Sequence, residues 1–347
     1  MTEQAVSMYN QTCWPAKGEV LMRSRLPVLL LAVSMAVGGA MSLGAQTAKP
    51  RAWTPARTPD GQPDLQGTWV DATITPFERP AQLTGKEVLS VDEAAQLERQ
   101  AAENRVETAP RPGDVGSYNQ IWFDSGTKVV KTRQASLVVD PPDGRVPVNS
   151  AAEAKRDYNL AHTAESYEYM STWDRCITRG VPGDMFPAGY NNAFQILQTP
   201  GYVVILAEMI HDARVIPLNG SAHAPASIRQ WNGDSRGHWE GNTLVVDTTN
   251  FNGKGWIASN AASGRIKGIP ESDAAHIVER FRRVDADTIL YEATIEDPKA
   301  YSKPWKVAIP LGRDPQYTIY EYACHEGNYA MEDILNGGRA QEKTPQN

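Results

Sequence analysis

Between Gly201 and Phe251 the chain places Glu208, His211, Asp212, Arg214, His223, Arg229, Asp234, Arg236, His238 and Glu240, its densest run of groups that can move protons or hold charge. A carboxylate next to a histidine can orient the imidazole and raise its basicity, the arrangement used in general acid–base work. His211, flanked by Asp212 and Glu208, is the candidate base, and Arg214, Arg229 or Arg236 could hold an anionic group. His325 with Glu326, directly after Cys324, could supply a second acid–base element. Asp234 and Trp239 complete the candidate binding set. Each feature also has a bland account: a solvated turn aspartate, an Arg–Asp pair locking a loop, a histidine at a strand end.

Other chemistries find less support. No His-x-His, His-Glu-x-x-His or Cys-x-x-Cys spacing suggests a metal site, although His211, His223, His238 and His325 could converge through the fold. No Gly-x-Ser-x-Gly, phosphate loop or dinucleotide fingerprint occurs, so no cofactor is expected. The residue types therefore suit acid–base chemistry of hydrolase, lyase or isomerase type on a small polar or aromatic molecule. The alternative is a non-catalytic, small-molecule-binding β-barrel using the same groups for recognition.

These groups need rigid supports. Tyr202–Leu206 and Leu244–Val246 are β-branched apolar runs on either side of the polar segment. Further strands are expected at 64–70, 118–123, 135–139, 194–197, 214–218, 237–239, 277–284, 288–295 and 317–324. Ile289, Tyr291, Ala293 and Ile295 alternate with more polar residues, as do Trp305, Val307, Ile309 and Leu311, the period of a half-buried strand. Glu240-Gly241-Asn242 and Asp285-Ala286-Asp287 read as hairpin turns. Ser90 with Glu93 forms a capping box ahead of a helix over 91–105, and a second helical region is expected over 151–173. Residues 107–117 read as a Pro/Gly loop. Short strands at hairpin spacing point to a mainly β protein: an antiparallel calycin-like barrel or closed sandwich with a few covering helices.

Met22 to Arg25 is basic, Leu26 to Val37 apolar, and Gly38 to Ala45 rich in small residues, the three-part pattern of a secretory signal. The expected organisation is a signal peptide with upstream extension (1–45), a Pro-rich lead-in (46–63), one β-rich domain (64–336) and a frayed polar tail (337–347). A membrane anchor is the alternative, but the apolar run is short of the roughly 20 residues needed. Removing 1–45 takes away three cations (Lys17, Arg23, Arg25) and two anions (Glu3, Glu19), so net charge moves from −7 to −8. That balance argues against nucleic acid or anionic lipid as partner. It leaves a small-molecule ligand, with no membrane role beyond export, in the periplasm or outside the cell. Cys176 and Cys324 remain after cleavage; in an oxidising compartment an even pair reads as one disulfide, the alternative being two buried thiols.

Gly67-Thr68-Trp69 resembles the Gly-x-Trp signature of lipocalins and related calycin barrels, which implies a Trp packed across a barrel floor. Residues 190–329 resemble a family of uncharacterised secreted proteins common in soil bacteria. The resembling runs are Tyr-Asn-Asn (190–192), Glu-Met-Ile-His-Asp-Ala-Arg (208–214), Gly-Asp-Ser-Arg-Gly (233–237), Trp-Glu-Gly-Asn-Thr-Leu-Val-Val-Asp-Thr-Thr-Asn-Phe (239–251) and Tyr-Ala-Cys-His-Glu-Gly-Asn-Tyr (322–329). That second resemblance implies no established chemistry.

Overall fold

The structure is a computed structural model that describes residues 53–105, 123–257 and 266–343. The expected signal peptide, the start of the lead-in, the 107–117 loop and residues 118–122 lie outside the described residues. Alternation of apolar side chains builds the sheet. Strand β1 is Gly67–Val70, β2 Val138–Asp140, β3 Ala193–Thr199, β4 Tyr202–Ala207, β5 Ala213–Pro217, β6 Asp234–Glu240 and β7 Thr243–Thr249. A short pair, β8 (Trp256–Ile257) and β9 (Ile269–Pro270), stands apart, and β10 (His276–Asp285), β11 (Thr288–Glu296) and β12 (Trp305–Arg313) complete the series. The main sheet has ten strands in the order β5-β4-β3-β1-β12-β11-β10-β7-β6, with β2 joined to β12, and every pairing is antiparallel.

The inward positions are Ile277, Glu279, Phe281 and Arg283 on β10, Ile289, Tyr291, Ala293 and Ile295 on β11, and Trp305, Val307, Ile309 and Leu311 on β12. Register puts Phe281 beside both Leu244 and Tyr291, and Tyr291 beside Ile309. One continuous core results, with Trp69 and Trp305 fully enclosed. The path is nearly closed into a barrel. Its ends, β5 and β6, meet through side chains rather than a ladder. Gly237 on β6 permits this: a Cβ there would lie 2.6 Å from Leu218 Cδ2 and 2.9 Å from Ile216 Cγ2.

The first helix, α1 (Val91–Glu103), starts at the expected capping box: Ser90 Oγ accepts from Glu93 N at 3.1 Å, and Glu93 Oε2 accepts from Ser90 N at 2.8 Å. Helix α2 (Ser150–Ala161) is capped by Asn149 and stops well before Trp173. At its end the His162 ring and the His162 N–H both reach the Tyr158 carbonyl, at 2.6 and 3.1 Å, and His162 itself leaves the helical backbone with φ −113° and ψ 14°. Two further expectations differ. Residues 317–324 form no strand; the Tyr320 N–H and the Tyr322 carbonyl are taken by the Glu208 and His211 side chains, and turns hold the rest of the segment. The polar tail is also not frayed throughout, since helix α3 (Ala330–Lys343) runs across Gly337 and Gly338. Among the described residues no helix is long and apolar enough to cross a membrane.

Candidate functional site

The tight turn between β4 and β5 carries Glu208, His211 and Asp212, and its backbone is strained. Ile210 and His211 have φ of 64° and 45°, a region that a β-branched residue rarely enters. The turn holds because Met209 and Ile210 are buried against Ala188, Trp173 and Tyr322. Strain of this kind gathers where a site needs fixed geometry, and Cys176 and Asn191, both with φ of 52°, lie close by on the same end of the barrel.

Each side chain of the turn reaches a different partner. Glu208, 1% exposed, accepts from Tyr317 Oη at 2.9 and 3.0 Å and from Tyr320 N at 3.2 Å. Partial burial and this carboxylate push the Tyr317 phenol above its usual range. Asp212 accepts from Thr178 Oγ1 at 2.7 Å and Asn232 Nδ2 at 2.6 Å, so it ties two loops together rather than orienting His211. His211 Nδ1 lies 2.7 Å from the Tyr322 carbonyl. A carbonyl only accepts, so in the neutral ring Nδ1 carries the proton and Nε2 keeps its lone pair. The His325 ring stands 6.4 Å away, centroid to centroid, so the two expected histidines are neighbours.

Cys176 and Cys324 form the expected disulfide. It closes one wall of a cavity of about 920 Å³, whose lining includes Trp173, Tyr190, Tyr322, Met170, Met331 and Glu326. Tyr190 and Tyr322 stack with centroids 6.3 Å apart, and Trp173 lies 6.5 Å from Tyr190. Of the ten residues expected to catalyse or bind, Glu326 alone lines this cavity.

The remaining candidates are engaged elsewhere. Arg214 points into the barrel, where its Nη1 and Nη2 donate to Glu279 at 3.2 and 2.7 Å, and Tyr291 Oη donates to the same carboxylate at 2.9 Å. Burial alone would lower the Arg214 pKa, but Glu279 and Asp184 hold it above its usual value. Asp184 lies 3.9 Å from Arg214, with Oδ1 unpartnered, and burial pushes its pKa up to about 7. Arg229 pairs with Asp273 at 2.5 Å. Asp234 accepts from Arg236 Nη1 at 2.7 Å and from Ala224 N at 2.8 Å, which locks the loop before β6. His223 bridges Asp234 and Asp247 at 3.0 and 2.9 Å, and His276 reaches Asp247 at 2.8 Å; Asp247 is thus paired with histidines. Trp239 packs against the core with its Nε1 unpartnered. Among the described residues no group of three or more His, Cys, Asp or Glu is placed to hold a metal ion.

Trp173 and Tyr322 were not singled out by sequence reasoning. A signal existed: once Cys176 and Cys324 are joined, Trp173 and Tyr322, three and two residues before them, must face a common space. No protein-family description matches this chain, and neither the curated proteins nor the solved structures include one similar to it.

Proposed function

We propose that this is an exported β-barrel that binds a small polar or aromatic molecule in the cavity beside the Cys176–Cys324 disulfide. The observation that carries the reading is the lining of that cavity: Trp173, Tyr190 and Tyr322 on walls fixed by a disulfide and by the His211–Tyr322 hydrogen bond. Aromatic walls interspersed with polar side chains, here Asp174, Asn191, Glu321, Glu326 and Asn328, suit an amphipathic ligand that carries hydrogen-bond donors. Glu208, Asp212, Arg214, Arg229, Asp234 and Arg236 are taken up by protein partners, which leaves them structural work. Export agrees with the signal-like start and with the disulfide.

Thermal unfolding in the presence of neutral sugars, phenols and indoles tests the reading. A ligand at 100 times its Kd raises stability by about 2.7 kcal/mol. The expected hit loses at least tenfold in affinity in Trp173→Ala and is unaffected by Tyr320→Ala, an exposed residue outside the lining. Hits indifferent to Trp173→Ala and Tyr190→Ala would place binding elsewhere and end the proposal.

A second reading, acid–base catalysis, is favoured by one observation: His211 is held in a single tautomer by the Tyr322 carbonyl, with Nε2 free and His325 alongside. Against it, no carboxylate bonds the His211 ring among the described residues, and neither histidine lines the cavity. Substrate screening of the parent against His211→Ala separates the two readings; turnover lost in the variant selects the enzyme.

A further inference from the structure

A different cavity, of about 290 Å³, opens on the other side of the Pro187–Gly189 strip. Phe77, Phe123 and Phe186 contribute its aromatic lining, Thr75 and Ser125 add hydroxyls, and Arg179 is its one charged residue. Arg179 is 3% exposed. Its Nη2 donates to the Phe186 carbonyl at 3.0 Å, while its Nε has no partner. An unpaired guanidinium N–H in the interior is costly, and such a group in a native fold calls for an explanation.

The nearest carboxylates do not supply one. Asp71 and Asp184 both act on Arg179 through their charge, yet neither forms an ion pair with it, and both Asp71 oxygens are themselves unpartnered. The Asp71 carboxyl is held well above its usual pKa by burial, against the pull of Arg179. Asp184 leans toward Arg214, 3.9 Å away. On the far side the guanidinium rests over the Trp173 ring at 5.5 Å.

We propose that this slot binds a small aromatic monocarboxylate, its ring among Phe77, Phe123 and Phe186 and its carboxylate accepting from Arg179. The volume admits one ring and a carboxylate, near the lower end of ordinary ligand sites of about 300 Å³. The lining contains no carboxylate to repel an anion and no second cation. The buried arginine selects the charge, and the apolar walls select the body, a division seen where one placed polar group sets orientation. The site is separate from the disulfide-walled cavity and stands whether or not that cavity binds a ligand.

Benzoate is the probe and benzamide its neutral counterpart, both titrated into the full-length chain labelled with 15N at arginine. Benzoate should bind saturably at one site and move the Arg179 Nε–H resonance in step with saturation. Benzamide should bind at least tenfold more weakly, since it cannot form the charged contact. Arg179→Met would remove the contact but empties a buried position, so the location is tested with Ser125→Trp, which fills the slot from a half-buried site. That variant should lose benzoate binding while keeping the parent's unfolding midpoint. The proposal is overturned if benzoate does not bind, if benzamide binds equally well, if the Arg179 resonance is unmoved at saturation, or if folded Ser125→Trp binds benzoate as the parent does.

Discussion

Asp184→Asn should make the protein more stable at neutral and alkaline pH and leave it little changed in acid. The Asp184 carboxyl is buried beside Arg214, and its pKa rises from 3.8 to about 7, burial being the main cause and Glu279 and Asp212 adding to it. The sign follows from proton counting. Between the two pKa values the folded state holds a proton that the unfolded state has lost, so stability falls as pH rises through that window and levels off above it. The shift is about 3 units, and at roughly 1.4 kcal/mol per unit the full loss is of the order of 4 kcal/mol. Asparagine keeps the shape and cannot ionise. Urea unfolding with the disulfide intact, repeated from pH 5 to pH 8.5, gives the difference between variant and parent at each pH. That difference should grow by a few kcal/mol toward pH 7 and then stay constant. The buried Glu271 carboxyl is also raised, by burial and by Asp297; it is present in both proteins and drops out of the comparison. Parallel stability curves for the two proteins would refute the raised pKa and the account of the interior built on it.

Glu279→Gln breaks the buried pair with Arg214 and should cost about 3–5 kcal/mol, because it leaves a desolvated guanidinium without its counter-charge. The double change Arg214→Met with Glu279→Leu should restore much of that loss, as read from denaturant midpoints. Replacing Cys176 and Cys324 together by alanine opens a loop with a sequence separation of 148 and should cost about 4–5 kcal/mol on the chain-entropy account. The same variant should be cut faster by protease within 317–329, the stretch the bond holds to the barrel; unchanged cleavage would mean that Glu208 and His211 suffice to hold it.

The strands were legible where a single face is buried. Trp305, Val307, Ile309 and Leu311 announce β12 by period alone, and Ser90 with Glu93 announces the start of α1. Residues 317–324 are rich in Tyr without being a strand, because the Tyr320 N–H and the Tyr322 carbonyl go to the Glu208 and His211 side chains rather than to a neighbouring strand. The polar segment was legible as polar, but not what each group faces. Glu208 meets Tyr317, Arg214 meets Glu279 and His211 meets Tyr322, partners 109, 65 and 111 positions away. Local spacing holds no information on contacts of that range. His211 and Asp212, adjacent in sequence, diverge because the turn's left-handed backbone sends one toward the C-terminal segment and the other toward Thr178 and Asn232.

The interior charges take on meaning where the barrel fails to close by backbone. Strands β5 and β6 end the hydrogen-bonded path and touch only through side chains such as Ile216 and Leu218 over Gly237. Arg214 leaves β5 and grips Glu279 on β10, across the two strands, β6 and β7, that separate them on that side. Tyr291 on β11 donates to the same carboxylate. Three strands from opposite walls are therefore joined by one buried network. Apolar side chains could fill this space with equal or better stability, but they would not specify which strand edge lies against β6. A bidentate Arg–carboxylate pair does, since only one register of β5 brings the guanidinium to Glu279. The turn that begins β5 is the strained Ile210–His211 step, whose His211 fastens Tyr322 of the cavity wall. The charge pair that sets the seam thus also sets the height of that turn, and with it the position of the aromatic wall where the ligand is proposed to lie.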